Sequence, residues 1–559
     1  MSTESQRTLR SVCTASGSII TCIDRPEGYN FTKSGLGNED CLFLSVFARP
    51  GARGLPVMVW IHGGGYGTGQ GNNEFWELLN TNTNDFILVL IQYRLGAFGF
   101  LSSKDMVSHG GTPNAGLYDI HFSLEWVQNH IEAFGGDNQR VTISGESAGA
   151  GAVMLMIMAD GGGEGTSLFT NAIVASPYLP MQWNYDGLEP TQAYYRLAKE
   201  VECSDEEGRS FPDQAVFECL LTMDSSTLQN ASAHISGGPG GLYGQWAFLP
   251  VTDGAFLRER PSAQLASRKV NGLRTLSGNV KNNANEGAGF VPQNITDASD
   301  FDEYLRILFP LMSSRDLDRL DKAYRIPPQI PGPLFSTLGS VGPTALNQSE
   351  YAIGQQQRAN NLYAETTLVC PSYWLASAYS GSSSNDRGKT FAKQAWKYQF
   401  SVPPSEHGAD LDAYQAFNRE TLGEGTMNMA ARKAVQLAWG RFIIYDDPTL
   451  PAGVVKSLTT TSNGSSTGDE IYEMMTGAWP IWLDTSVEDG GYQMLNINLT
   501  GGTPETLSYT FRDGTIVNLT QMTEPGLKAS FQIVDAFFWE AGRGRRCELW
   551  KDLGASVPE

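Results

Sequence analysis

VTISGESAGAG, residues 141 to 151, contains the pattern Gly-x-Ser-x-Gly that surrounds many nucleophilic serines. The pattern returns at 464 to 468, where GSSTG sits inside TTTSNGSSTGDE. With 61 glycines among 559 residues, roughly one chance match is expected, so the pattern alone decides nothing. Context separates the two. RVTIS (140 to 144) reads as a strand, and AGAGAVMLMIMA (148 to 159) is small and apolar, as a helix packed on a sheet must be. A serine at such a strand-to-helix turn is pushed out over the C-terminal edge of the sheet, with glycines beside it because a side chain there would clash. Ser147 has that context, and Ser466 is flanked only by polar turn-formers.

Outward from Ser147, apolar runs alternate with helical patterns: PVMVWI (56 to 61), FILVLIQY (86 to 93), then a helix over DIHFSLEWVQNHIEAF (119 to 134). Further strands are read at TNAIVAS (170 to 176), LRTLSG (273 to 278) and AWKYQFS (395 to 401). This alternation implies crossover connections and an α/β fold with a large, mostly parallel central sheet flanked by helices. SGGPGGL (236 to 242) and SGSSSND (380 to 386) read as surface loops, since strand patterns resume on both sides. The chain is read as one catalytic domain over residues 1 to 559.

Composition narrows the partners. A formal charge of −21 and a pI near 4.8 exclude nucleic acid, which a polyanion repels. The apolar runs are too short to span a membrane. The seven cysteines have no CxxC spacing and the six histidines do not cluster, so no metal and no cofactor is expected. Seven Asn-x-Ser/Thr sequons, at Asn30, Asn230, Asn294, Asn347, Asn463, Asn498 and Asn518, suit a glycoprotein. The opening MSTESQRTLR has no apolar core of a secretory leader.

Serine at neutral pH needs a base within hydrogen-bond reach and an acid to orient that base. In the order nucleophile, acid, histidine, only His234 and His407 follow Ser147, and His407, in SVPPSEHGAD directly after a strand, is the better placed. The acid is Glu286, in SGNVKNNANEG (277 to 287), or Asp253, in VTDG. WIHGGGYGTG (60 to 69) supplies a glycine turn after a strand. The backbone N–H groups of Gly64 and Gly65, with that of Ala148, form a candidate oxyanion hole. His62 is read as an anchor of that turn. Glu146, beside the nucleophile, is either a structural buried carboxylate or an electrostatic aid to the imidazolium.

Taken in order, NEDCLFLSVFARP (38 to 50), PVMVWIHGGGYGTG (56 to 69), QYRLGAFGFLS (92 to 102), NAGLYDI (114 to 120), FGGDNQRVTISGESAG (134 to 149), VTDGAFL (251 to 257), NANEG (283 to 287) and HGADL (407 to 411) resemble the type-B carboxylesterases and lipases. These are α/β-hydrolases that include cholinesterases and fungal esterases. The resemblance implies a serine carboxylesterase with Ser147 as nucleophile, Glu286 preferred over Asp253 as the acid, His407 as base, and Gly64, Gly65 and Ala148 as oxyanion donors. It implies a small-molecule ester as substrate. It also implies disulfides pairing Cys41 with Cys13 or Cys22 and Cys203 with Cys219, and a secreted, extracellular protein.

The family's opening strands are missing ahead of the first cysteines, and we read the start as an incomplete N-terminal segment. Between Cys13 and Cys41 there is no tryptophan to hold a quaternary ammonium, and CIDRPEGYNFTKSGLGNED is too polar for an amphipathic lid helix. Choline esters and interfacial acylglycerols are therefore disfavoured. A lipase on acylglycerols, or a binding and adhesion protein that keeps the fold without catalysis, are the alternatives.

Overall fold

The computed structural model describes residues 10–11, 37–204, 213–237, 246–282, 291–292, 294–326, 339, 344–347, 352–384, 390–403, 405–415, 427, 429–451, 479–484, 491–510 and 516–557. Its centre is one sheet of strands β1 (Arg10–Ser11), β2 (Leu44–Ala48), β3 (Leu55–Ile61), β4 (Ile87–Ile91), β5 (Gly136–Glu146), β6 (Asn171–Ala175), β7 (Arg274–Val280), β8 (Gly381–Ser384), β9 (Thr390–Phe400), β10 (Gln493–Thr510) and β11 (Ile516–Asp535). Their spatial order is β1-β2-β4-β3-β5-β6-β7-β9-β10-β11, with β8 paired to β9. The run from β4 through β10 is parallel, and β1, β2, β8 and β11 pair antiparallel. This is the α/β-hydrolase architecture.

The central strands are apolar on both faces because helices cover both. Along β3, Val57, Val59 and Ile61 enter one core while Met58 and Trp60 enter the other. In β4, Ile87, Val89 and Ile91 divide from Leu88 and Leu90 in the same way, as a two-residue side-chain period requires. The helix Ala148–Met158 is buried along its whole length, against β5 and β6, so it has no polar face. That burial holds its first residues rigidly under the turn that carries Ser147.

Two expectations are corrected. Residues 381–384, read as part of a loop, form β8, because β9 runs on past the sheet and its first residues take their backbone partners from Gly381–Ser384. The loop read at 236 to 242 begins inside a helix, Ser225–Gly237, and residues 238 to 242 lie outside the described residues. The long hairpin β10–β11, whose strands pair from Gln493↔Asp535 to Thr510↔Ile516, was not read from the sequence.

Cys203 is bonded to Cys219, and Cys370 to Cys547, a pair the sequence left unassigned. Cys41 is also disulfide-bonded, and Cys13 and Cys22 lie outside the described residues. Beside the Cys370–Cys547 bond, the fully buried Glu365 accepts hydrogen bonds from Arg543 Nε (3.0 Å) and Arg546 Nε (2.6 Å). Burial alone would push the Glu365 carboxyl up, but the two guanidinium groups hold it below its usual range. Arg543 also donates to the carbonyl of Lys281 (3.0 Å) and to Gln399 Oε1 (2.8 Å). The C-terminal helix Trp539–Leu553 thereby fixes the ends of β7 and β9, the two strands that lead into the acid and histidine loops.

Among the described residues, no helix is long and apolar enough to cross a membrane.

Candidate active site

Ser147 sits between β5 and the helix Ala148–Met158 with φ 58° and ψ −128°. Non-glycine residues reach that region only at a cost of about 1–3 kcal/mol, and the surrounding contacts impose it here. Ser147 N–H donates to Ala175 O (3.1 Å), and its carbonyl accepts from Gly151 and Tyr178 N–H (both 2.9 Å). The flanking glycines are steric requirements: a Cβ on Gly145 would overlap the backbone of Gly149, and one on Gly149 the carbonyl of Ile61. The bend leaves Oγ free of the backbone ladder and facing the next loop.

His407 arrives from that loop, and its Nε2 lies 2.8 Å from Ser147 Oγ. With the ring proton on Nδ1, the hydroxyl donates to Nε2, the geometry general-base catalysis needs. The loop is tied to the chain that follows β7: Asn282 and Glu406 form a parallel bridge, and Asn282 N–H donates to Ser405 O (2.9 Å). Glu286, four residues beyond Asn282, lies outside the described residues. Asp253 serves a turn instead, accepting from the N–H groups of Ala255 (2.8 Å) and Leu257 (3.0 Å) and from Asn114 Nδ2 (2.7 Å). His234 pairs with Glu200 on an exposed surface.

The glycine turn after β3 packs directly on the nucleophile, since a Cβ on Gly63 would come within 2.9 Å of Ser147 Cβ. Gly64 and Gly65 have φ of 111° and 66°, a region that glycine alone enters freely. The carbonyl of Gly64 accepts from Gly67 N–H (3.1 Å) and Thr68 N–H (2.9 Å), which locks the turn. Ala148 opens its helix, so its N–H has no carbonyl one turn back to donate to. His62 lies beneath this turn, stacked on Tyr93 at 4.5 Å with Nδ1 3.0 Å from Gly63 O. Burial pulls its imidazolium down to about 4, so it is a neutral structural group.

Glu146 is buried, with Oε1 3.5 Å from His407 Nε2. Asp410, also buried, accepts from Tyr414 Oη at 3.3 Å. Burial, then the Asp410 charge, pushes the Glu146 carboxyl well up; burial pushes Asp410 up to about 7. Burial also pulls His407 down to about 4. Both shifts disfavour the charged forms, so burial works against an ion pair between Glu146 and His407. Asp410 was not singled out in the sequence, although its place three residues after His407 was the available signal. Trp246 was also missed; a Cβ on either Gly65 or Gly67 would overlap its indole. Among the described residues, no three His, Cys, Asp or Glu side chains are grouped to hold a metal.

A family model described as "Carboxylesterase family" matches residues 3–461. The chain is 30% identical over 436 residues to carboxylesterase patB of Penicillium expansum, covering 74% of this chain and 68% of that protein. It is 34% identical over 303 residues to lipase 2 of Geotrichum candidum, covering 51% of this chain and 52% of that one. The crystal structure of Aspergillus niger EstA matches with a TM-score of 0.66 at 22% identity, over 97% of this chain and 88% of EstA.

Proposed function

This chain belongs to the carboxylesterase family and is a carboxylesterase, and from that premise we propose that it cleaves a small-molecule ester through an acyl-enzyme on Ser147. Ser147 Oγ attacks the ester carbonyl carbon while His407 Nε2 takes its proton. The N–H groups of Gly64, Gly65 and Ala148 hold the resulting oxyanion. Collapse breaks the carbon–oxygen bond to the alcohol, which leaves with the proton from His407. Water then attacks the acyl-serine with the same assistance, releasing the acid and restoring Ser147. Glu286 is assigned to Nδ1 of His407, where a carboxylate fixes the tautomer and stabilises the imidazolium. The chain path favours this: Asn282, bridged to Glu406 next to His407, precedes Glu286 by four residues, a span of at most ~14 Å.

The observation that carries the reading is the 2.8 Å contact of His407 Nε2 with Ser147 Oγ at a strained turn. A protein kept only for binding has no need of that strain, which disfavours the adhesion reading. We propose that residues 1 to 559 form one catalytic domain. The two disulfides Cys203–Cys219 and Cys370–Cys547 favour an oxidising compartment, hence a secreted protein, and the exposed Asn294 is a sequon open to a glycan. Ser147→Ala tests the mechanism: turnover of a short p-nitrophenyl ester is abolished with the circular-dichroism spectrum unchanged, and retention of most activity would refute the assignment.

A further inference from the structure

Arg432, on the helix Met429–Tyr445, is buried between two carboxylates. Its Nε donates to the carbonyl of Asp412 (2.6 Å), and one terminal nitrogen donates to Asp412 Oδ1 (2.6 Å) and to the carbonyl of Gln415 (3.4 Å). The other terminal nitrogen lies 3.2 Å from Glu77 Oε2, on the helix Trp76–Thr81. Burying a guanidinium is costly unless its donors find partners, and here Nε and both terminal nitrogens are engaged. Only a planar fork meets two carboxylates and two carbonyls at once; a lysine ammonium is a point charge and does not span them.

The partners of Arg432 come from two different parts of the site. Asp412 and Gln415 belong to the segment that carries His407. Overlapping turns stiffen that segment: Ala409 N–H donates to Glu406 O (2.9 Å), Leu411 N–H to Gly408 O (3.1 Å) and Ala413 N–H to Asp410 O (2.9 Å). Glu77 ends the stretch that follows the glycine turn. That stretch meets the His407 segment a second time, since Asn73 donates to Gln415 Oε1 (3.3 Å) and accepts from Trp60 Nε1 (3.1 Å). We infer that Arg432 is a positioning residue for the reaction, tying the segment that carries the base to the stretch that carries the oxyanion donors and so setting His407 Nε2 against Ser147 Oγ. The inference rests on the reading of Ser147 as nucleophile and His407 as base. Without the guanidinium, the like charges of Asp412 and Glu77 face one another where a cation stood, and they repel. A misplacement on the order of 1 Å at the reacting groups costs roughly a hundredfold in rate.

The test is the steady-state kinetics of p-nitrophenyl butyrate hydrolysis, with the rate of fluorophosphonate labelling, for the wild-type protein, Arg432→Met and Arg432→Lys, each well below its thermal midpoint. Arg432→Met keeps the apolar stem and loses the fork. Its kcat should fall roughly tenfold to a hundredfold and its labelling rate in parallel, with KM within about threefold of wild type. Arg432→Lys keeps the charge without the fork and should recover part of the loss. Asp412→Asn, which leaves the Glu77 end in place, should lower kcat by less, and it keeps the test open if Arg432→Met does not fold. A merely structural arginine lowers the thermal midpoint and leaves kcat alone. A destabilised but folded Arg432→Met with kcat within about threefold of wild type would therefore overturn the inference, as would a loss confined to KM. A wild-type protein that neither hydrolyses the ester nor takes the label would overturn the Ser147 reading, and this inference with it; an active wild type whose folded variants keep kcat overturns only the role of Arg432.

Discussion

Glu146 Oε1 lies 3.5 Å from His407 Nε2, the nitrogen that also meets the Ser147 hydroxyl. An ionised carboxylate there would favour the imidazolium and blunt the base. Burial and Asp410 instead favour the protonated acid at Glu146, and burial holds His407 down to about 4. A general base works only while neutral, so its protonation removes activity. Burial pulls the His407 value down towards about 4 and the Glu286 carboxylate assigned to Nδ1 pushes it back up, so we expect kcat/KM to hold at neutral pH and its acid limb to lie between about pH 4 and the ordinary imidazole value of about 6.5. An acid limb at or above that ordinary value, with circular dichroism showing intact fold, would contradict this.

Asp410→Asn removes the charge that helps keep Glu146 protonated. The Glu146 carboxyl then ionises more readily, its carboxylate stabilises the imidazolium 3.5 Å away, and the pKa of His407 rises. The acid limb of the pH–rate profile should therefore shift to higher pH. An unmoved limb would show that Asp410 does not act on His407 through Glu146.

Gly65→Ala places a Cβ inside the Trp246 indole at a residue with φ 66°. The turn must shift, and its N–H leaves the oxyanion. We expect a loss of roughly a hundredfold or more in kcat, in line with the removal of one oxyanion donor, with little change in KM. Activity within about threefold of wild type would mean that this N–H is not a donor in the transition state.

The two assigned disulfides close loops of very different length, 16 residues for Cys203–Cys219 and 177 for Cys370–Cys547. On loop-entropy grounds they contribute about 3 and about 5 kcal/mol. Denaturant unfolding of the paired Cys→Ala variants should show the larger loss for Cys370/Cys547. The reverse order would show that the Glu365–Arg543–Arg546 cluster, not the bond, holds the C-terminal helix.

The nucleophile turn was legible in the sequence because its demands are local: a strand, a glycine that cannot carry a side chain, and an apolar helix. His407 was legible because its loop follows a strand in the required chain order. Trp246 and Asp410 were not, since each acts across the fold on residues distant in sequence, Gly65 and Glu146. The Cys370–Cys547 pairing was hidden for the same reason. The β10–β11 hairpin escaped because its threonines, glycines and prolines break the alternation that marks a half-buried strand.

The central claim is that Ser147 is an activated nucleophile. It is tested most directly by exposing the purified protein to a fluorophosphonate probe and mapping the label by peptide mass analysis. The account predicts stoichiometric labelling on the peptide that contains Ser147, lost in His407→Ala. A folded protein that stays unlabelled, or is labelled at another serine, would contradict it.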